Sequence, residues 1–156
     1  MYNLKKNQLT RIHLTLESFK SLLSIYDTIK NDSEKLKEFC SLHRNPIWDI
    51  TSIKLFDTGL ISEEGKKQSK KNLVSDHYIQ RSKATKFIFD NLSQNPNMNV
   101  DEFIDLLKKY GSTIKLTKEE HSIVTNFAKK NKQYLNYEIY GICGINIIGL
   151  SNVIGF

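Results

Sequence analysis

The stretch LVSDHYIQRS (residues 73–82) places an acid and an imidazole side by side at the end of an apolar run. The apolar run favours a strand, and RSKATKFIFDNL, which begins at Arg81, has its apolar residues at helical spacing. We therefore expect Asp76 and His77 where a strand ends, shortly before a helix. Two interpretations stay open: Asp76 caps that helix while His77 bonds locally, or the pair forms half of a catalytic site.

A second strand-to-helix junction follows further along the chain. STIKLT (residues 112–117) alternates enough for a short strand, and TKEEH (residues 117–121) comes next. Thr117 and Glu120 have the spacing of a capping box, which predicts that a helix starts there. His121 therefore falls in the first turn of a helix that directly follows a strand.

The connector between the two junctions is predicted to hold two helices. The first is RSKATKFIFDNL, and the second starts at Asn99, which has Glu102 at capping-box spacing. Gly111 is placed to end the second helix. The predicted order is thus strand, Asp-His pair, helical connector, strand, and a helix with a histidine in its first turn.

Helices also dominate the N-terminal third of the chain, residues 1–47. Apolar residues at helical spacing over Leu16–Ile29 predict one amphipathic helix, and a second is expected to start near Asp32 and to end at Pro46. The next stretch, IWDITSIKLFDTGLI (residues 47–61), is rich in β-branched and aromatic residues. It predicts short strands around a DTG turn.

The order of elements around the two junctions resembles the ββα-metal motif of HNH, or His-Me finger, nucleases, particularly the homing-endonuclease branch from phages and mobile elements. SDHYIQR (residues 75–81) and KLTKEEH (residues 115–121) carry the resemblance. It implies that Asp76 and His121 bind a divalent metal ion and that His77 is the general base, which takes a proton from the attacking water. The implied activity is metal-dependent hydrolysis of phosphodiester bonds in double-stranded DNA.

Two further residues are candidates beside this set. The middle Asn of the family, which orients the general base, would fall near Ser112, whose hydroxyl can also donate a hydrogen bond. Arg81 could hold a phosphate with its fork of donors; the alternative is an ordinary surface arginine at a helix start. The expected ligand set is one carboxylate, one imidazole and several waters. Such a set favours Mg²⁺, with Mn²⁺ or Ni²⁺ as alternatives. No small-molecule cofactor is expected.

The charge balance favours an anionic partner. With 23 Lys and Arg against 17 Asp and Glu, the formal net charge is +6. This charge favours nucleic acid as the partner, with a membrane surface as the second choice. The basic residues cluster in GKKQSKK (residues 65–71) and AKKNK (residues 128–132); the alternative is a solvated loop and a solvated helix end. The candidate nucleic-acid contacts are Lys66, Lys67, Lys70, Lys71, Arg81, Lys129 and Lys130.

At 156 residues the chain is long enough for one ordinary domain. We expect an α+β domain over residues 1–156, made of a helical part (1–47), a ββα-metal core with an inserted helical connector (48–131) and a short apolar closing segment (132–156). Residues 139–156 carry no charge, but their glycines and asparagines favour a buried strand or hairpin over a membrane span.

Two cysteines without CxxC spacing and an N-terminus without a secretory signal predict a cytoplasmic protein with reduced thiols. Two main function classes remain: a metal-dependent DNA endonuclease, and a basic accessory protein of a phage or mobile element that binds nucleic acid without cutting it. A membrane-tethered protein is a third, weaker alternative. A two-fold target would call for a homodimer, although the sequence displays no dimer interface.

Overall fold

The computed structural model describes residues 4–51, 56–131 and 137–149 and has the mixed α+β architecture predicted from the sequence. Its elements are α1 (Lys6–Ser21), α2 (Leu23–Ile29), α3 (Ser33–Thr51), β1 (Asp57–Ser62), α4 (Glu63–Lys66), β2 (Leu73–His77), α5 (Arg81–Gln94), α6 (Val100–Gly111), β3 (Thr113–Thr117), α7 (Lys118–Lys130), α8 (Glu138–Ile142) and β4 (Ile147–Ile148). The predicted order of strand β2, two connector helices, strand β3 and helix α7 is confirmed.

The chain divides into two compact units, each built from two separate segments. The helical unit joins Met1–Phe56 to Arg81–Ser112 and holds α1, α2, α3, α5 and α6. The sheet unit joins Asp57–Gln80 to Thr113–Phe156 and holds the four strands with α4, α7 and α8. The connector helices belong to the helical unit because they share a core with the N-terminal helices, and the expected single domain with inner borders near residues 47 and 131 stays a prediction.

An aromatic cluster forms the core of the helical unit. The ring of Phe89 in α5 lies 4.7 Å from that of Phe19, 5.1 Å from Tyr26 and 4.9 Å from Phe39, measured between centroids. Phe19, Tyr26 and Phe89 are 1%, 0% and 0% exposed. Because replacing a buried Phe by Ala costs ~3–5 kcal/mol, this cluster ties the connector helix α5 firmly to the N-terminal helices.

The first predicted helix is split in two. The pattern over Leu16–Ile29 predicted one helix, but α1 and α2 are separated at Leu22. The backbone N–H of Leu22 donates to the carbonyl of Phe19 at 3.1 Å, which is the tighter i to i+3 pattern of a 3₁₀ turn. The spacing of apolar residues in the sequence does not reveal such a change of hydrogen-bond pattern.

The second predicted helix does not end at Pro46, and that prediction is wrong. Helix α3 includes Pro46 and runs on to Thr51. A proline inside a helix costs ~3 kcal/mol because it removes a hydrogen bond and crowds the preceding turn. Ile47 and Ile50, which follow it, are 0% and 2% exposed, and burying each contributes ~1.5–3 kcal/mol, so the tertiary gain offsets the local cost.

The four strands among the described residues form one sheet in the order β2-β3-β1-β4, so β2 lies at an edge of the sheet as described. β2 pairs antiparallel with β3, β3 pairs parallel with β1, and β1 pairs antiparallel with β4. One face of the sheet packs against α7 and α8, and we call it the covered face. Its apolar cluster contains Ile114, Leu116, Val124, Ala128, Ile139, Tyr140, Ile145 and Ile147.

Within the described residues of the stretch 47–61, a strand forms at the end. Residues 47–51 are helical, residues 52–55 lie outside the described residues, and β1 begins at Asp57. The DTG tripeptide lies inside β1 rather than between two strands. Gly59 has φ +76°, its N–H donates to the Asp57 carboxylate at 3.1 Å, and the pairing with β3 shifts register there, as in a bulge.

The predicted strand near the C-terminus is present but short. Ile147–Ile148 forms β4 and pairs with β1, whereas Glu138–Ile142 is helical rather than extended. Residues 150–156, the remainder of the apolar run, lie outside the described residues. In the described ranges, no helix is both long and apolar enough to cross a membrane.

Candidate functional site

The register between β2 and β3 assigns the two residues of the Asp-His pair to different faces of the sheet. Asp76 pairs with Ile114, and His77 pairs with Thr113. Successive strand residues project to opposite faces, so Asp76 shares the covered face with Ile114 and His77 shares the other face with Thr113. His77 is also the last residue of β2, as the apolar run predicted.

A hydrogen-bonded cap fixes the start of α7. The hydroxyl of Thr117 accepts from the N–H of Glu120 at 3.1 Å, and Glu120 Oε2 accepts from the N–H of Thr117 at 2.8 Å, so the predicted capping box is confirmed. Ser62, which is 0% exposed, donates its hydroxyl to the same Glu120 oxygen at 2.5 Å. These bonds hold the following residue, His121, in the first turn of α7.

Asp76 and His121 lie side by side at the junction of β2 and α7. Asp76 Oδ1 is 3.4 Å from His121 Nε2, and the two side chains are 18% and 37% exposed. The carboxylate is thus mostly enclosed, while the imidazole remains open to solvent. The two sequence elements that predicted a shared site are therefore brought together by the fold.

Tyr140 of α8 is a third member of this group. Its hydroxyl donates to Asp76 Oδ2 at 2.7 Å, and the residue is 1% exposed. The two carboxylate oxygens therefore have separate partners: Oδ2 accepts from Tyr140, and Oδ1 lies toward His121. A buried tyrosine hydroxyl normally has such a partner, because burying it without one is costly.

Burial dominates the electrostatics of the group. It raises the pKa of Asp76 above its usual range, while the hydrogen bond from Tyr140, a protonated His121 and the backbone N–H of His77 act in the opposite direction. Burial and the neighbouring Asp76 carboxylate both raise the pKa of Tyr140, so its hydroxyl remains a donor at neutral pH. The carboxylate thus sits in surroundings that favour a compensating positive charge.

The donor types of Asp76 and His121 suit a divalent cation, since carboxylate oxygen and imidazole nitrogen both bind such ions. Two atoms that lie ~2.1 Å from one ion at a right angle are ~3.0 Å apart, close to the observed 3.4 Å separation. Within the described residues, no group of three or more His, Cys, Asp or Glu side chains is placed to hold an ion. An ion here would have two protein ligands and waters, a pattern that Mg²⁺ accepts.

Ser112 and Arg81 belong to the helical unit. Ser112 follows the last residue of α6, and its hydroxyl donates to the carbonyl of Lys108 at 2.6 Å, so its single proton is used within its own helix. Its orientation of His77 stays a prediction. Arg81 is the first residue of α5; burial and the neighbouring Arg44 lower the pKa of Arg81, which still remains cationic at neutral pH.

A polar row crosses three strands on the face opposite the covered face. Lys115 donates to the Ser75 hydroxyl and lies 3.1 Å from Asp57 Oδ2. Ser75 and Lys115 are register partners, and strand alternation gives them the same face as His77. The row thus places a positive charge on the same face as the predicted general base, which sequence analysis did not anticipate.

The lysines of GKKQSKK are exposed on the connection between β1 and β2. Lys66 ends α4, and Lys67 forms an ion pair with Glu64 at 2.6 Å. Lys70 and Lys71 lie in a 3₁₀ turn that runs directly into β2. The turn therefore connects the first basic cluster to the strand that carries Asp76 and His77.

The second basic cluster continues helix α7. Lys129 and Lys130 are exposed in its last turn, while Lys132 lies outside the described residues. All the predicted lysine contacts that the structure describes thus belong to the sheet unit, whereas Arg81 belongs to the helical unit. Their contact with nucleic acid stays a prediction.

Tyr140 is the site residue that sequence analysis missed. The available signal was a tyrosine inside an uncharged apolar run, since a buried tyrosine needs a partner for its hydroxyl. The identity of that partner, 64 residues away at Asp76, depends on the packing of α8 in the tertiary fold.

Comparison with known proteins gives no relative from which a role could be transferred. The chain matches no protein-family model, and neither curated proteins nor solved structures include a significant match to it.

Proposed function

We propose that this protein is a metal-dependent endonuclease that hydrolyses phosphodiester bonds in double-stranded DNA. The observation that carries the proposal is the 3.4 Å separation between Asp76 Oδ1 and His121 Nε2 at the junction of β2 and α7. These residues come from the two sequence elements that resemble HNH nucleases. Two helices separate those elements in the chain, yet the acid and the imidazole are neighbours in space.

The chain's own residues divide the chemical work. Asp76 and His121 would hold the divalent cation, for which Mg²⁺ is expected and Mn²⁺ or Ni²⁺ are the alternatives. The cation would supply positive charge to the phosphate and to the leaving oxygen. His77 takes the proton from the attacking water, a task that suits an imidazole near neutral pH. The phosphate contact of Arg81 and the support of His77 by Ser112 stay predictions from the sequence, since both residues belong to the helical unit.

In this mechanism, the position of His77 restricts the direction from which the scissile phosphate can approach. Its side chain belongs to the face opposite that of Asp76, so the scissile phosphate has to approach around the end of β2 rather than across one face. β2 lies at an edge of the sheet as described and His77 is its last residue, which favours such an approach. Lys115 lies on the same face as His77 and adds positive charge on that side.

Charge and exposure support DNA as the substrate. The chain carries a net charge of +6, and the lysines of GKKQSKK are exposed just before β2. Contacts between lysines and backbone phosphates supply much of the affinity of DNA-binding proteins and do not depend on base sequence. Exposed lysines at the entrance to β2 are therefore suited to hold the duplex beside Asp76 and His77.

The proposal is tested by cleavage and by direct metal binding. With Mg²⁺ or Mn²⁺, we expect the wild type to cut plasmid or source-genome DNA, and EDTA or His121→Ala to stop cutting. In calorimetric titration the wild type should bind Mn²⁺, and His121→Ala should bind it at least ~10-fold more weakly. His13→Ala, at an exposed histidine of α1, is the matched control. A wild type that neither cuts nor binds Mn²⁺ contradicts the proposal.

The second candidate is a basic accessory protein that binds nucleic acid without cutting it. The exposed lysines of the sheet unit favour it independently of the Asp76–His121 pair. It predicts salt-sensitive DNA binding that EDTA and His121→Ala leave unchanged, with no cleavage under any metal condition. The same two assays therefore separate the two functions.

A further inference from the structure

We propose that Tyr140 is a positioning residue of the metal site, which fixes the orientation of the Asp76 carboxylate. The inference rests on the proposed function. It adds Tyr140, which lies outside the Asp-His pair and outside the two motifs that resemble HNH nucleases. Tyr140 does not face the substrate in this proposal. It acts through Asp76, by holding one carboxylate oxygen so that the other is presented toward His121.

The geometry divides the carboxylate between two partners. Tyr140 donates its hydroxyl proton to Asp76 Oδ2 at 2.7 Å, and Asp76 Oδ1 lies 3.4 Å from His121 Nε2. Rotation about the last side-chain bond of Asp76 would exchange the two oxygens or turn both away from His121. A short hydrogen bond to an ionised oxygen opposes that rotation, since bonds to charged groups are stronger than neutral ones.

Tyr140 is itself held in place at both ends. Its side chain is 1% exposed in the apolar cluster of the covered face. Its backbone carbonyl accepts from the N–H of Ile145 at 2.8 Å, and its own N–H donates to the carbonyl of Tyr137 at 3.2 Å. The hydroxyl therefore donates from a fixed position. Partners of this kind, which orient a metal-binding side chain from behind, commonly change metal affinity 10- to 100-fold when removed.

The helical unit contains a matched pair that serves as the control. Tyr26 is 0% exposed, and its hydroxyl donates to Asp90 Oδ1 at 2.6 Å. The other oxygen of Asp90 is bound by Lys86 at 2.6 Å, so this carboxylate already has its positive partner. Tyr26→Phe and Tyr140→Phe each delete one buried hydroxyl that donates to a carboxylate, but only the second deletion affects the pair with His121.

The experiment compares the wild type, Tyr140→Phe and Tyr26→Phe in calorimetric titration with MnCl₂. We expect Mn²⁺ affinity to fall about 10-fold in Tyr140→Phe and to stay unchanged in Tyr26→Phe. Urea unfolding should show similar losses of stability in both variants. The electron paramagnetic resonance spectrum of bound Mn²⁺ should differ from wild type in Tyr140→Phe alone, because only there the carboxylate ligand is free to rotate.

Three results would overturn the positioning role of Tyr140. Wild-type affinity and spectrum in Tyr140→Phe would overturn the positioning role while leaving the metal site intact. An equal loss of affinity in both variants would show that affinity follows general stability, and it would also overturn the role. If the wild type binds no Mn²⁺, the metal site fails and the positioning role fails with it.

Discussion

Asp76 and His77 are neighbours in the chain, but the register of β2 with β3 directs them to opposite faces of the sheet. Asp76 has its contacts on the covered face, where Tyr140 and His121 approach its two oxygens. His77 shares its face with Lys115. In the proposed mechanism, metal binding by Asp76 and proton acceptance by His77 therefore occur on different faces of the sheet, so each role can be removed by a separate substitution.

His77→Ala is therefore expected to abolish cleavage without changing metal affinity. General-base catalysis contributes about 100- to 10,000-fold, so the cleavage rate should fall by at least about 100-fold. Calorimetric Mn²⁺ affinity should remain that of the wild type, because the Asp76 contacts lie on the other face. His13→Ala is the control for loss of an exposed histidine. Full activity in His77→Ala, or a parallel loss of Mn²⁺ affinity, would rule out the assigned role.

Asp76→Asn is expected to abolish metal binding and to stabilise the fold at neutral pH. Burial raises the pKa of folded Asp76 above its ordinary value of 3.8. Stability from this group is therefore fully present below that ordinary value and is lost as the pH rises through the raised, folded value. Asn keeps an acceptor for Tyr140 but carries no charge, so the free energy of unfolding at pH 7 should increase by about 1 kcal/mol.

Urea unfolding at pH 7 and at pH 4 checks this prediction. The stability difference between Asp76→Asn and the wild type should shrink at pH 4, where more of the wild-type carboxylate is protonated. A variant that is less stable than the wild type at pH 7 would show that the Asp76 charge is compensated in the folded state.

Ser62→Ala is expected to weaken the sheet unit. The Ser62 hydroxyl accepts from the buried N–H of Gly65 at 2.9 Å and donates to Glu120 in the α7 cap. Removing it leaves that N–H without its acceptor, which costs about 1–3 kcal/mol. Ser21→Ala, at an exposed hydroxyl that bonds only within α1, should change stability little. Equal unfolding free energies in urea for both variants would contradict the prediction.

The basic cluster before β2 is expected to set the salt dependence of DNA binding. Each lysine that contacts a phosphate contributes about 0.9 to the slope of log K against log salt, so Lys70→Gln with Lys71→Gln should reduce the slope by about 2. The matched control is Lys6→Gln with Lys37→Gln, which removes two exposed lysines from the helical unit. Binding isotherms at several salt concentrations measure both. An equal reduction in both variants would mean that net charge, rather than this cluster, determines binding.

Local signals in the sequence predicted the elements that carry the Asp76–His121 pair. The capping boxes at Asn99 and Thr117 fixed two helix starts, because the cap and its partner lie three residues apart. Apolar runs likewise predicted β2, β3 and the connector helices. Local pattern was less reliable where tertiary burial opposed it, as at Pro46, where the helix continues because Ile47 and Ile50 are buried.

The sequence by itself determined which residue types stand at the two strand-to-helix junctions: an acid and a histidine at the first, and a histidine at the second. Only the tertiary structure decided their arrangement. Strand register assigned Asp76 and His77 to opposite faces, and the packing of α7 brought His121 to 3.4 Å from Asp76. Packing of α8 added Tyr140 from 64 residues away. The physical reason is that caps and periodicity act over a few residues, whereas register and packing depend on burial shared by distant segments.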